Sequence, residues 1–366
     1  MDVAVSTGST GKTGLRIALC GIVKNEAPYL IDWISWHRAL GFTDFIIADN
    51  DSTDGTEEIL AQLQQRHILR TFRVPTRFHW NPQRDAYVHA AGLASRLGLD
   101  WIAFFDADEF LMPSGQNESL PAFLGDLPND CGSISVNWAV YGSSGHINAS
   151  SEPVPYRFTR RSPMSSDPTS DAGINLQYKS IIRPTAFAGK MPNSHHMHLK
   201  SGFSHWAVDR EPLIIKNKVG GVSDRIVWAP FRLNHYVVRS WSEFYKKKMT
   251  RGLADDQSLT RSVRFFQYHD LNDIEEVVPL WLKAEFDRKR KSLIKILDNE
   301  KLIDGANREI VEFIPPPISD LKYGLNELNL LNANIPKRYP KLIRSIHNMK
   351  STFRRFFPEK IEYLNW

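Results

Sequence analysis

From Arg16 onward the chain alternates between two periodicities. "RIALCGIV" is continuously apolar over the length of a strand. "NEAPYLIDWISWHRALG" then sets Leu30, Trp33, Ile34 and His37 on one helical face and stops at Gly41. A second apolar run, "FTDFIIAD", leads into "STDGTEEILAQLQQ", a turn followed by a helix. A short strand near "LRTFRV", a helix over "NPQRDAYVHAAGLASRLG" and a buried strand from Trp101 to Asp106 in "WIAFFDADEF" continue the series. Strand following helix in this order predicts an α/β fold with a mostly parallel, Rossmann-like sheet flanked by helices. Ligands of such sheets sit at the carboxyl ends of the strands.

Beyond residue 112 the pattern loosens. "CGSISVNWAVYG" and "LQYKSIIRP" read as strands, "SSEPVPYRFTRRSPMSSDPTSDAG" as a long loop, and "SWSEFYKKKMTRG" and "VPLWLKAEFDRKRKSLIKIL" as helices. There is no internal repeat. The organisation expected is a disordered Ser/Thr/Gly-rich leader over 1–14, a catalytic domain over 15–285, and a helical, basic extension over 286–366.

Composition narrows the function classes. The 366 residues are 42% hydrophobic and 24% charged, which is globular and far from a disordered profile. Cys20 and Cys131 sit in apolar stretches without metal-type spacing, which suits a reducing compartment. No signal-like leader and no run of about 18 apolar residues is present, so the expectation is a cytoplasmic protein that does not span the membrane. The net charge of +5 is uneven: Lys337 to Lys360 holds eight Lys/Arg against Glu359, with Leu342, Ile346, Met349, Phe353 and Phe357 interleaved. Such a helix can lie on an anionic membrane, here the inner face, or pack its apolar side on the domain. No recognised nucleic-acid motif accompanies it. "GSTGKTG" lacks both the first glycine of a phosphate loop, Ser6 standing there, and a preceding strand.

The chemistry concentrates at two strand ends. Asp106 and Asp108 stand two apart, so a tight turn can aim both at one hard cation such as Mn²⁺ or Mg²⁺, which prefers carboxylate oxygens and leaves positions open for phosphate. "ADNDSTDGT" ends the second strand, where Asp49 can accept from a base or ribose and the turn through Asp54 enters a helix whose amides suit phosphate. Lys24 and Asn25 follow the first strand, Gln83 and Arg84 open a helix, and Lys179 and Arg183 offer positive charge. The cluster "HHMH", at His195, His196 and His198, has a spacing that does not establish zinc geometry.

These segments, taken in order, carry a resemblance. "GIVKNEAPYLIDWISWHRALGFTDFIIADNDSTDGT", "QRDAYVHA", "DWIAFFDADEFL", "NWAVYGSSGH" and "RLNHYVVRSWSEFYKKKMTRG" resemble the nucleotide-sugar glycosyltransferases of the family 2-like and family 92 group, which have a GT-A fold. The resemblance implies that Asp49 contacts the nucleotide, that Asp106 and Asp108 form a metal-binding Asp-x-Asp, and that His235 helps hold the metal or diphosphate. It places Trp138 and "GSSGH" on the acceptor side. The expected reaction moves a sugar from a nucleoside-diphosphate donor, with UDP preferred, to a hydroxyl of a glycan or lipid-linked saccharide, with inversion. The general base is open: Glu109, Asp209, Asp224 and Asp270 are all available, and Asp108, Glu109 and Asp209 are the catalytic carboxylates expected.

Three rivals remain. A phosphohydrolase with an Asp nucleophile wants Thr or Val where this chain has Phe110. A nucleotidyltransferase wants a Gly- and Arg-rich loop where it has "IVKNEAPYL". A carbohydrate- or membrane-binding protein without turnover would not need Asp106, Asp108 and His235 intact.

Overall fold

A computed structural model describes residues 14–75, 81–165, 171–215, 220–250 and 260–297. The leader before Gly14, the phosphate-loop-like stretch and the basic segment Lys337–Lys360 lie outside the described residues. All described residues belong to one unit, Met1–Pro315.

The first half alternates as its periodicity predicts: β1 (Ile17–Val23), α1 (Ala27–Ala39), β2 (Asp44–Asp49), α2 (Thr56–Gln65), β3 (Arg70–Arg73), α3 (Pro82–Arg96) and β4 (Trp101–Phe104). The remainder runs β5 (Glu109–Pro113), α4 (Leu120–Gly125), β6 (Cys131–Val140), α5 (Val154–Arg157), β7 (Arg160–Arg161), β8 (Tyr178–Ile182), β9 (Ser204–Ala207), β10 (Phe231–His235), α6 (Trp241–Lys248), α7 (Val263–His269), β11 (Ile274–Glu275) and α8 (Leu280–Ile296). The main sheet has nine strands in the order β3-β2-β1-β4-β8-β6-β10-β5, with β9 beside β6. Strands β3, β2, β1 and β4 are mutually parallel, as are β6 with β10 and β6 with β9; the sheet is therefore mostly parallel. Antiparallel pairing enters at β4–β8, β8–β6 and β5–β10.

Burial on both faces explains the continuous apolar runs. Ile17, Leu19, Phe45, Ile47, Trp101 and Ala103 face one core with α1 and α2, whereas Ala18, Cys20, Ile46, Ala48, Ile102 and Phe104 face another with α3. Period-2 alternation thus separates two apolar cores rather than core from water. Pro28 in the first turn and Gly41 (φ 96°) after the last bound α1. The Trp33 and Trp36 indoles donate to the Glu109 and Leu111 carbonyls, joining α1 to β5. On its other side α1 packs against α8, through Trp36 on Phe286 and an Asp32–Arg290 ion pair of 2.5 Å.

Two segments differ from the sequence expectation. The run Trp101–Asp106 ends as a strand at Phe104, because the chain turns over Asp106–Glu109 and leaves as β5. The expected long loop after residue 150 contains α5 and β7, the latter pairing antiparallel with β11.

Candidate active site

The turn between β4 and β5 is closed twice. The Glu109 amide donates to the Asp106 carbonyl at 2.9 Å, and the Asp106 amide donates to Glu109 Oε2 at 2.8 Å. Glu109 Oε1 accepts from the Trp138 indole at 2.8 Å. Arg239, buried against the Tyr29 ring, donates to the Ala107 carbonyl at 3.2 Å. Glu109 is fully buried and spent on this clamp, so it is not placed to take a proton from an acceptor. Burial pushes its carboxyl up, while Lys179 opposes that shift.

The turn presents Asp106 and Asp108 to opposite partners. Asp106 Oδ1 accepts from Gln83 at 2.6 Å and Tyr87 at 2.9 Å, and Oδ2 from Lys179 Nζ at 3.0 Å. Asp108 Oδ2 accepts from Lys248 Nζ at 2.6 Å, and His235 Nε2 stands 3.6 Å from Oδ1. Burial alone would raise both carboxyls; Lys179 for Asp106, and Lys248 with His235 for Asp108, reverse the direction and hold both below the usual carboxylate range. Lys179 has no exposed side-chain surface, yet Asp106 and Glu109 keep its ammonium charged against the effect of burial. His235 packs on Trp138 with ring centroids 4.2 Å apart. Burial lowers its pKa, with Asp108 opposing. Its Nδ1 is buried without a hydrogen-bond partner among the described residues.

Two loops complete the rim at the carboxyl ends of β1, which neighbours β4, and of β2 beyond it. Asn25 (φ 55°) accepts from the Thr53 amide, and Ser52 Oγ accepts from the Asn25 amide. Asp54 accepts from the Ala27 and Thr56 amides and the Thr56 hydroxyl, so it ties the starts of α1 and α2 together rather than facing a ligand. Asp49 is buried; Oδ2 accepts from the Ser52 amide, and Oδ1 has no hydrogen-bond partner among the described residues. A desolvated, unmatched carboxylate oxygen costs about 1–3 kcal/mol and marks a place for a ligand's N–H or O–H.

Lys24 follows β1 on this rim. Arg84 caps nothing here: its half-exposed guanidinium faces Asp85 at 3.7 Å while its neighbour Gln83 turns inward to Asp106. Arg183 reaches the Cys131 carbonyl and stacks on Trp101, away from the acidic turn. Asp209 is at the other end of the sheet. It shares a surface groove with Gly14, Thr43 and Pro230, at the amino ends of β1, β2 and β10, and pairs with Arg225. Asp224 pairs with the same arginine. Neither is brought to Asp108, which removes Asp209 as an expected catalytic carboxylate. Asp270 lies at the carboxyl end of β6, where Oδ1 accepts from the Ser143 amide at 2.6 Å and from Asn272 at 2.8 Å. Of the "HHMH" histidines, His195 turns away to pack on Trp138, whereas His196 meets the Tyr178 hydroxyl and the rings of His198 and His205. No group of three or more His, Cys, Asp or Glu stands in metal-binding geometry among the described residues.

A family model, Glycosyltransferase family 92, matches residues 15–264. The chain belongs to glycosyltransferase family 92. A family 92 protein of Arabidopsis thaliana is 26% identical over 66% of this chain and 39% of its own length. One from Oryza sativa subsp. japonica is 28% identical over 65% of this chain and 36% of its own. The chain thus spans about two fifths of the length of these curated relatives. Among solved structures, TarS of S. aureus aligns over 48% of this chain and 51% of its own at 14% identity, with a TM-score of 0.31.

For this family 92 chain, sequence reasoning missed three contributors, Tyr87, Lys248 and Arg239, and named Trp138 for the acceptor side rather than for its bond to Glu109. Tyr87 was within reach, since it stands one helical turn beyond Gln83 on α3 and shares its target. Lys248 sits in a lysine run that reads as a solvated helix face, and nothing in the sequence singles it out. Arg239 and the role of Trp138 beneath the turn depend on long-range pairing that no local pattern encodes.

Proposed function

We propose that this chain is a nucleotide-sugar glycosyltransferase whose donor lies across the carboxyl ends of β2, β1 and β4. The observation that carries the reading is the Asp106–Glu109 turn, where two largely buried carboxylates are kept ionised by Lys179 and Lys248, on the same sheet edge as the unmatched Asp49 oxygen two strands away. An edge that gathers ionised carboxylates, ammonium groups and an open hydrogen-bond acceptor suits a cation-chelated nucleoside diphosphate, and a UDP-sugar is the donor we favour.

The residue types fit a hard divalent ion, while the side chains, held by Lys179 and Lys248, are not gathered around one point among the described residues. Two carboxylates are ligands that Mn²⁺ or Mg²⁺ takes, and the His235 imidazole adds a nitrogen ligand whose Nδ1 has no hydrogen-bond partner among the described residues. Asp106, Asp108 and His235 would hold it, and the bound ion would stabilise the departing diphosphate as a Lewis acid. Asp49 Oδ1 would accept from the base or ribose. Gln83, Tyr87 and Lys179 orient Asp106, and the Glu109 clamp fixes the turn's backbone, so both are in place before the donor arrives. Of the four carboxylates available as general base, Asp270 is the one left, held by the Ser143 amide after the carboxyl end of β6. It would take the proton of the acceptor hydroxyl as the anomeric carbon is attacked from the face opposite the leaving group, with inversion. We place a glycan or lipid-linked saccharide in the acceptor role. Among the described residues no helix is long and apolar enough to cross a membrane.

Thermal unfolding with Mn²⁺ and a panel of UDP-, GDP-, CMP- and dTDP-sugars tests the reading. A donor at about a hundred times its Kd adds roughly 2.7 kcal/mol, a shift of several degrees, which Asp108→Ala should remove. No shift from any donor would favour a protein that keeps the fold without turnover.

A further inference from the structure

Helix α6 ends by placing two ammonium groups on two carboxylates of the site. Lys247 pairs with Glu26 at the start of α1, and Lys248 pairs with Asp108 at 2.6 Å, both Lys248 and Asp108 side chains being 12% exposed. This is an anchored arrangement. The helix starts in a capping box, Ser240 with Glu243, and the Glu243 carboxylate also takes two hydrogen bonds from buried Arg157 and one from the Tyr29 hydroxyl. Burial would raise that carboxyl, but Arg157 holds it at about 2, so α6 is locked by an ionised anchor. A helix fixed at its amino end delivers its last turn to a set place, and three lysines there also suit the negative end of the helix dipole.

Resting on the functional reading above, we infer that Lys248 and the divalent cation are rivals for Asp108, which couples cation binding to donor binding. Lys248 Nζ holds Asp108 Oδ2, and an ammonium repels a divalent ion brought to the same carboxylate, so a cation that takes Oδ2 has to displace Lys248, and one that takes Oδ1 is still weakened by it. A nucleoside diphosphate brings two to three negative charges to the same place and removes the conflict, because it pairs with the ammonium and the cation together. Cation and donor then bind with mutual reinforcement, equal in both directions by linkage. The ion alone is held weakly, and the loaded site assembles only with its donor.

The test is Mn²⁺ titration, followed by electron paramagnetic resonance and calorimetry, with and without saturating UDP. Wild type is compared with Lys248→Met, Lys248→Gln, Lys248→Arg and Asp108→Ala. Both neutral variants are expected to bind Mn²⁺ alone about tenfold more tightly than wild type and to lose most of the tightening that UDP gives, while Lys248→Arg stays near wild type. Lys248→Gln keeps a donor for Asp108 and so guards against loss of folding in the methionine variant. A structural role for Lys248 would weaken Mn²⁺ in the neutral variants instead. Unchanged or weaker Mn²⁺ binding in both, with Asp108→Ala still abolishing it, overturns the rivalry and leaves the metal reading standing. No Mn²⁺ binding by wild type even with UDP overturns both.

Discussion

The two halves of the main sheet supply the site with opposite charge. Strands β1, β2 and β4 lie parallel, with Asp49 ending β2 and Asp106 and Asp108 in the turn after β4. The mixed half and its helix α6 return Lys179, His235 and Lys248, which reach the turn across 73 residues for Lys179 and 140 for Lys248. Neither half is a site by itself. Buried carboxylates without those cations would be driven toward their neutral forms, and a buried lysine without the carboxylates would lose its proton. Chemistry here is a property of the seam where β4 meets β8.

The sharpest division should follow from Asp108→Ala. Transfer should fall by at least about a thousandfold, as expected when a charge aimed at the leaving group is removed, while urea unfolding stays cooperative. Asp270→Asn probes the other half: kcat should drop roughly 10²- to 10⁴-fold with UDP binding unchanged, the signature of a lost base rather than a lost donor contact. If the Asp270 variant loses UDP affinity instead, the split between a donor half and an acceptor half is wrong.

Lys179→Met attacks the seam itself. It leaves Asp106 and Glu109 facing each other with their shared counter-ion gone, and removing one partner of such a pair costs about 3–5 kcal/mol. A urea midpoint close to wild type would mean that the two halves do not depend on each other electrostatically.

How much of this was legible follows the same seam. The parallel half announces itself, because each strand is a short apolar run, each helix has its start and stop residues, and the loops between them carry the polar residues that function needs. Asp49, Asp106, Asp108 and Gln83 are visible for that reason. His235 was named through the family resemblance. Antiparallel insertion of β8 between β4 and β6 has no local signature, so the pairing of Lys179 with Asp106 and the capture of Lys248 by Asp108 were not. Burial reassigns residues in the same way: Glu109 reads as a catalytic acid beside two others, and folding spends it on an indole and an amide.

Acid should separate the halves more gently. Besides His235, burial keeps five histidines neutral when folded, at about 3 for His37, His195 and His205 and about 4 for His196 and His269. The unfolded chain binds protons near pH 6.5 that the folded chain refuses, so stability is complete above that value and declines as pH falls toward 4. Four of the five lie outside the parallel half. Amide hydrogen exchange at pH 5 against pH 7 should show protection lost first in β8, β9 and α7, and loss beginning in β1 or β2 would contradict the assignment.

The smallest effect expected is at Asp209, and it bounds the site. Its carboxylate pairs with Arg225 where both side chains are about a third exposed, at the amino ends of the strands. Pairs of that exposure contribute about 0–1 kcal/mol, so Asp209→Asn should move the unfolding temperature by no more than a few degrees. Donor turnover, measured as UDP released per enzyme, should stay within twofold of wild type. That near-silence is informative because Asp209 is as acidic and as available in sequence as Asp270. A fall of tenfold or more with the fold intact would carry the chemistry through to the amino-terminal end of the sheet, and the division of labour between strand ends, on which the placement of donor and acceptor depends, would have to be abandoned.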